Sequence, residues 1–488
     1  MARFVINGEL VNSLTGKDEP IFNPATGEVV DTAPAGDARD VDAAVDAAER
    51  AFPNWWATAA AKRGEIVASG ARKLLEHEDE LAPLLTSEQG KPLREARMEI
   101  RRLAHTLEHY AGLSKNLRGG YVPNLDEGKY GLILKRPIGI VASIVPWNFP
   151  VSLMGNKIAP ALVTGNAIIV KPATTTPLTA MRVIQLLNEA GLPPGVLNIV
   201  TGGGSTVGEA ILAHPKIRKI GFTGATATGR RVMQVAAETI KRVTLELGGS
   251  DPFIVCEDAD IDAAASAASV GRFFNCGQAC LAVKRVFVFE KVADEFISKM
   301  ETKAKKLRVG NGMEKGVLTG PLHSANQRAE IEEQVADAKT RGATILVGGA
   351  RPEGNGFERG HYYLPTLLVD VPPEARVLRE EVFGPALPIV RVRDLDEAIA
   401  RANDSIYGLG SSIWTRDLDN ATRAAEKIEA GYTWINSAQI IYDELPFGGF
   451  KQSGIGKEHG GEALEYYMES KAVVVGTNVA QEKEYRGE

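Results

Sequence analysis

Cysteine is almost missing: the 488 residues hold three, Cys256, Cys276 and Cys280. So few, and an odd number, build no disulfide framework, and a reducing compartment fits best. A basic surplus is missing too. The formal charge is −6 at neutral pH, which argues against an extended nucleic-acid footprint but leaves room for a local basic pocket. No apolar run reaches the roughly 20 uninterrupted residues of a membrane span. The most apolar stretch, 138–170, is broken by Trp147-Asn148-Phe149-Pro150 and by Asn156-Lys157. The opening Met1-Ala2-Arg3-Phe4-Val5-Ile6-Asn7-Gly8 lacks the apolar core of a secretory signal. Histidine is scarce as well. His105 and His109 share a helical spacing but stand among Arg101, Arg102 and Glu108, so they read as solvated helix surface. No metal site is expected, and the expected location is the cytoplasm.

What is present describes a folded enzyme-sized chain. Hydrophobic residues make 44% and charged residues 24% of it, close to globular averages. Its length suggests two large domains with an appendage, or about three domains. Residues 1–30 read as short strands and turns. From Asp37 the apolar period changes to three and four, with Val41, Ala44, Val45, Ala48 and Phe52 on one helical face. Helical pattern continues to about residue 117, in a charge-rich region expected to wrap a sheet rather than form the site. Beyond Gly119 strands appear, and from 139 to 246 they alternate with helices. That alternation predicts a parallel sheet with crossover helices, whose ligands bind beyond the carboxyl ends of the strands. The strand ends are Pro146-Trp147-Asn148, Lys171-Pro172-Ala173, Thr201-Gly202-Gly203-Gly204 and Thr223-Gly224. A second strand-helix alternation follows Gly248-Gly249, where a domain boundary is expected.

Three residues stand out chemically. Cys280, in Asn275-Cys276-Gly277-Gln278-Ala279-Cys280, has small neighbours that admit a ligand and polar ones unlike a core strand; a thiol is already a strong nucleophile at neutral pH. Glu246, in Leu245-Glu246-Leu247-Gly248-Gly249, is a carboxylate between leucines, and desolvation there would raise its pKa and fit it to take a proton from water. Asn148 closes a strand, and its amide donates two hydrogen bonds without charge, as an oxyanion hole requires. Each has a plainer reading: buried inert thiol, ion-paired carboxylate, helix-capping amide. Cys256 reads as an ordinary strand cysteine. Lys171 ends an apolar strand where a ribose hydroxyl or phosphate could meet it. Gly221-Phe222-Thr223-Gly224-Ala225-Thr226 links a strand to a helix as a phosphate cradle would, although it is not the G-x-G-x-x-G fingerprint.

Taken in order, these motifs resemble the NAD(P)-dependent aldehyde dehydrogenase superfamily. The series runs Pro146-Trp147-Asn148-Phe149-Pro150, Lys171-Pro172-Ala173, Phe222-Thr223-Gly224, Leu245-Glu246-Leu247-Gly248-Gly249, Gly277-Gln278-Ala279-Cys280, Glu381-Val382-Phe383-Gly384-Pro385 and Pro446-Phe447-Gly448-Gly449. The resemblance covers nearly the whole chain. It implies an α/β fold with a Rossmann-like cofactor domain (1–118 and 138–248), an α/β catalytic domain (249–452) and a small three-stranded oligomerisation element (119–137 and 468–488). It implies Cys280 as nucleophile, Glu246 as general base, Asn148 with the Cys280 N–H as oxyanion hole, and Glu458 as a second carboxylate for proton relay. Implied cofactor contacts are Val145, Pro146 and Trp147 at the first strand end, then Lys171, Ala173 and Thr174, then Gly204 and Gly208. Phe222, Thr223, Gly224, Thr226, Leu247, Gly248, Glu381 and Phe383 complete that set. The implied substrate pocket is Phe149, Leu153, Asn156, Ala279, Ile441 and Phe447.

The resemblance also implies a homo-oligomer, dimer or tetramer, oxidising a small-molecule aldehyde with NAD or NADP. Two departures from the family pattern refine this. Many NAD-preferring members carry a Glu just after the Lys-Pro-Ala turn; Thr174 stands here without charge, so NADP use is expected. Succinate-semialdehyde members often carry an Arg where this chain has Asn156. A small uncharged aldehyde, of the lactaldehyde or glyceraldehyde type, is therefore the expected substrate, and a semialdehyde is kept as the alternative. A CoA-acylating enzyme is disfavoured because such relatives lack the glutamate that Glu246 matches. A thiol esterase and a non-catalytic protein on the same fold are the remaining alternatives.

Overall fold

The computed structural model describes residues 2–354 and 356–477. Two sheets organise it. The first has eight strands, and its centre is five parallel ones in the order Leu197–Ile199, Ala167–Lys171, Ile140–Ile144, Ile217–Thr223, Arg242–Glu246. Ala167–Lys171 is buried along its whole length, as expected of a strand covered by helices on both faces. In chain order the strands step outward from Ile140–Ile144 in one direction and then resume on its other side with Ile217–Thr223. That reversal opens a crevice between the carboxyl ends of these two strands. Pro146-Trp147-Asn148 and Thr223-Gly224 lie at its lips.

The second sheet has seven strands, in the order Thr344–Val347, Thr366–Val369, Ala386–Val392, Val283–Phe289, Asp251–Val255, Gly410–Trp414, Tyr432–Ile435. All pairs are parallel except the first. Only 247–250 separates the last central strand of the first sheet, ending at Glu246, from Asp251–Val255 of the second. The sheets therefore meet at Glu246.

A third, antiparallel sheet comprises Gly120–Asp126, Lys129–Pro137 and Met468–Gly476, with Met468 opposite Pro137 and Gly476 opposite Lys129. It holds exposed Tyr121, Leu125, Leu134 and Val474. These strands occupy the two segments expected to form the oligomerisation element; 478–488 of that expectation lies outside the described residues. Among the described residues no helix is long and apolar enough to cross a membrane.

The helical region corrects the sequence-based expectation. Its helices Ala60–Glu76 and Leu93–Leu113 do pack on the first sheet's helices. The second of them, however, also sends buried side chains to the strand ends, as set out below. The two helices touch at Gly64, where a Cβ would lie 2.7 Å from the Ala111 carbonyl oxygen. Gly64→Val is expected to destabilise the fold by about 1–3 kcal/mol through overpacking, read from urea unfolding; unchanged stability would show that the pair has slack.

Candidate active site

Cys280 lies between the helix Ile261–Phe273 and the strand Val283–Phe289, in a loop of unusual backbone. Asn275, Cys276 and Gly277 have φ of +49°, +55° and +73° in succession. Two non-glycine residues in the left-handed region cost energy and persist only where surroundings hold them. The holders are identifiable. The Asn275 N–H donates to Glu95 at 2.9 Å, its amide donates to the Asn148 carbonyl at 2.9 Å, and Arg272 donates to the Gly277 carbonyl at 2.8 Å. Gly277 admits no side chain, because a Cβ there would collide with the Gly384 backbone and the Arg272 guanidinium.

Asn148 donates one amide N–H to the Gln278 carbonyl at 3.0 Å; the other remains for a ligand near Cys280. Its own carbonyl is gripped by the buried Lys91 ammonium at 2.8 Å. Lys91 in turn pairs with buried Glu99, whose other oxygen accepts from the Val151 and Ser152 N–H groups at 3.0 and 3.2 Å. Lys91, Glu95 and Glu99 thus fix both the Asn148 segment and the Cys280 loop from the helical region, a role not visible in its amphipathic period.

Glu246 is buried, and neither carboxylate oxygen has a hydrogen-bond partner. Burial, reinforced by the charge of Glu458, pushes its pKa well above the usual carboxylate range, with Lys157 and Lys457 pulling the other way. Burial also pushes the Cys280 thiol up to about 12; Lys284 opposes this, while Glu381, Asp251 and Glu246 add to it. Glu246 is thus one of the charges that act on the Cys280 thiol. Glu458 is held by Lys157 at 2.5 Å and by the Asn156 amide at 3.0 Å, and Lys157 also donates to the Thr223 hydroxyl at 2.6 Å. A chain of polar groups thereby runs from the end of one central strand to the second carboxylate.

The remaining predicted residues fall around this centre. Trp147 stacks on His323 at 4.5 Å and meets Phe383 edge-on at 5.6 Å. Glu381 accepts from the Gly249 N–H at 3.0 Å and pairs with Lys284, and a Cβ on Gly248 would collide with its carboxylate. Val145 donates to the Lys171 carbonyl at 3.0 Å, Gly224 to the Glu246 carbonyl at 3.0 Å, and Leu247 to the Ser453 carbonyl at 2.9 Å. Ala173 and Thr174 are half-buried. Gly204–Gly208 forms one π-helical turn facing Lys171, whose Cε would be 3.7 Å from a Cβ on Gly208. Phe149 stacks on Phe274 at 6.0 Å. Ile441 and Phe447 pack in one cluster with Cys280, Tyr432 and Trp434, and Ala279 and half-buried Leu153 lie on the flanking segments.

A dinucleotide fits these residues. Lys171 is buried, its pKa lowered to about 8 by burial with only Glu19 opposing, and its ammonium has one weak backbone acceptor, Pro172, at 3.1 Å. Two of its N–H groups therefore await an oxygen ligand. The helix Thr226–Glu238 starts without a side-chain cap, leaving N–H groups for phosphate.

Three expectations need correction. Asn156 does not present a free amide to a substrate; that amide is committed to Glu458. His105 is not merely solvated surface, since its Nδ1 meets Asp443 at 2.6 Å. His109 packs edge-on to Tyr110, with its Nε2 buried and unpartnered. Sequence reasoning also missed Lys157, Lys284 and His323. A lysine inside an apolar run was the available signal, as in Asn156-Lys157-Ile158-Ala159 and Ala282-Val283-Lys284-Arg285-Val286. His323 carried none, yet it joins three segments: its N–H donates to Gln278 at 2.8 Å, and its ring meets Thr175 at 2.7 Å and stacks on Trp147.

Residues 11–473 match the aldehyde dehydrogenase family. The chain is 40% identical over 472 residues to succinate-semialdehyde dehydrogenase [NADP(+)] of Escherichia coli K12, covering 97% of each protein. It is 41% identical to glutarate-semialdehyde dehydrogenase of Pseudomonas putida KT2440, over 96% of this chain and 97% of that one. The crystal structure of PnpE in complex with nicotinamide adenine dinucleotide superposes with a TM-score of 0.96 at 39% identity, covering 98% of each chain. The chain belongs to the aldehyde dehydrogenase family and is an NAD(P)-dependent aldehyde-oxidising enzyme.

Proposed function

We propose that Cys280 attacks the aldehyde, Glu246 activates the water that releases the acid, and the preferred substrate is an aldehyde with an anionic far end, oxidised with NADP in preference to NAD. The observation that carries the chemistry is Glu246: buried, with both oxygens unengaged, and among the charges that act on the Cys280 thiol. A structural carboxylate would be paired. In this reading the Cys280 thiol first releases its proton to solvent; the thiolate sulfur adds to the carbonyl carbon, and the free Asn148 N–H stabilises the oxygen that becomes negative, typically by a few kcal/mol for such a donor. The bound NAD(P) supplies the hydride acceptor. Glu246 then takes a proton from water, which cleaves the thioester; Glu458, anchored by Lys157 and Asn156, receives that proton in turn.

The substrate class is supported by the relatives named for succinate and glutarate semialdehydes. The expectation of an uncharged aldehyde rested on Asn156 in place of an arginine, and that argument loses force because the Asn156 amide serves Glu458. The apolar lining of Phe149, Ile441 and Phe447 still favours an uncharged aldehyde as the second reading. For the cofactor, Thr174 offers no carboxylate to repel a 2′-phosphate, and Lys171 has unused N–H groups to receive one. The homo-oligomer is proposed through the sheet bearing Tyr121, Leu134 and Val474.

Three outcomes are expected. Cys280→Ala should lose aldehyde oxidation while NADP still quenches tryptophan fluorescence; surviving oxidation would exclude Cys280 as nucleophile. The base must be ionised to work and its pKa is raised, so hydrolysis of a preformed acyl-enzyme should be slow in acid and rise with pH. Its midpoint should lie above the ordinary value of about 4.3; stopped-flow rates that stay flat across the carboxylate and neutral range would point to another base. For the cofactor, kcat/KM should favour NADP by about tenfold or more, the usual worth of a charge-assisted hydrogen bond. A preference for NAD would overturn the role given to Thr174 and Lys171.

A further inference from the structure

The helix Leu93–Leu113 presents Glu99, Arg102, Thr106 and Tyr110 at three- and four-residue steps, hence on one face. Glu99 holds the segment at Val151 and Ser152, and the Tyr110 hydroxyl donates to the Gly460 carbonyl at 3.4 Å. This face therefore forms a wall between the 149–156 segment on one side and the 443–460 segment on the other. Those two segments supply most of the expected substrate pocket.

Midway along the wall, Arg102 meets Asp443. Asp443 stands two residues beyond Ile441 and four before Phe447, both of which pack with Cys280. Its fully buried carboxylate is saturated. One oxygen accepts from Arg102 at 2.6 Å, His459 at 2.7 Å and Thr106 at 3.3 Å, and the other from His105 at 2.6 Å. Arg102 is the opposite case. It gives Asp443 one N–H of a guanidinium that has about five, makes no other hydrogen bond among the described residues, and is 30% exposed. Its charge also reaches the phenol of Tyr432, which packs on Phe447 at 5.9 Å. The guanidinium is thus a fixed cation with spare donors, pinned beside the pocket loop.

We infer that Arg102 is the specificity-determining residue of this enzyme, pairing with the distal carboxylate of a semialdehyde whose carbonyl carbon is at Cys280, while Asp443 holds its guanidinium in place. This rests on the anionic-aldehyde reading proposed above. The planar fork of an arginine matches a carboxylate in a way that a neutral aldehyde end cannot exploit. The pairing also replaces the arginine that the sequence lacks at Asn156: the cation comes from a different helix.

The test compares succinate semialdehyde with butanal, which has the same carbon length and no charge, on the full-length enzyme with NADP. The wild type should favour succinate semialdehyde in kcat/KM. Arg102→Gln keeps a hydrogen bond to Asp443 but removes the charge; it should lose about 10- to 100-fold on succinate semialdehyde, the worth of a charged hydrogen bond, mainly through KM, with butanal oxidation retained. Arg102→Lys should recover part of the loss. Equal losses on both aldehydes would assign Arg102 to holding the loop and overturn the inference, as would no loss on either. A wild type without preference for the charged aldehyde would instead refute the anionic-substrate reading, before any variant is examined, and the inference with it.

Discussion

Four residues of chain, Leu247-Gly248-Gly249-Ser250, join the last central strand of one sheet to the first strand of the other. The rest of the site depends on the shortness of that join. It leaves Glu246 no freedom to move away from the second sheet, where the Cys280 loop sits. It is also tightly packed: a Cβ on Gly249 would lie 2.7 Å from the Cys280 carbonyl oxygen, so the backbone of the link and that of the nucleophile loop touch. Lys284 and Glu381 then clamp Gly249, one through its carbonyl at 2.8 Å and the other through its N–H at 3.0 Å. Glu246 ends a strand of one sheet and the Cys280 loop leads into a strand of the other, and the two segments are held together by backbone contact.

Burial does the electrostatic work. It favours the neutral form of both Glu246 and Cys280, because desolvation penalises whichever form carries charge. Glu246 has no compensating hydrogen bond, and this unsatisfied state is costly to stability. Such a cost is tolerated where a group must accept a proton later. The opposing charges are themselves buried and anchored: Lys284 on Gly249 and Glu381, Lys157 on Glu458 and Thr223. Positive and negative groups thus alternate through the site, with Glu246 alone left unengaged by hydrogen bonds among these carboxylates.

Much of this was legible in the sequence, for physical reasons. Strand-helix alternation follows from local period, and parallel sheets bind ligands at strand ends, so Asn148, Lys171, Thr223 and Glu246 could be located from their neighbours alone. The order of those turns carried the family. What was not legible is whatever depends on partners far along the chain. Asp443 meets Arg102 across 341 residues and His105 across 338, and no periodicity reports such a meeting. The same holds for Lys91 under Asn148. His105 looked solvated because its helical neighbours are charged; one of those neighbours, Arg102, is turned to the same buried carboxylate. Asn156 was read for what it could not do for a substrate, when its amide was already engaged with Glu458.

The account turns on Glu246 acting on the thioester rather than on the aldehyde. Intact-protein mass spectrometry of Glu246→Gln, quenched after mixing with aldehyde and NADP, tests this directly. The account predicts a stable acyl adduct that maps to the Cys280 peptide, formed with about one reduced cofactor per site. An unmodified protein that continues to turn over would contradict it and pass the base to another group, with Glu458 the first to examine.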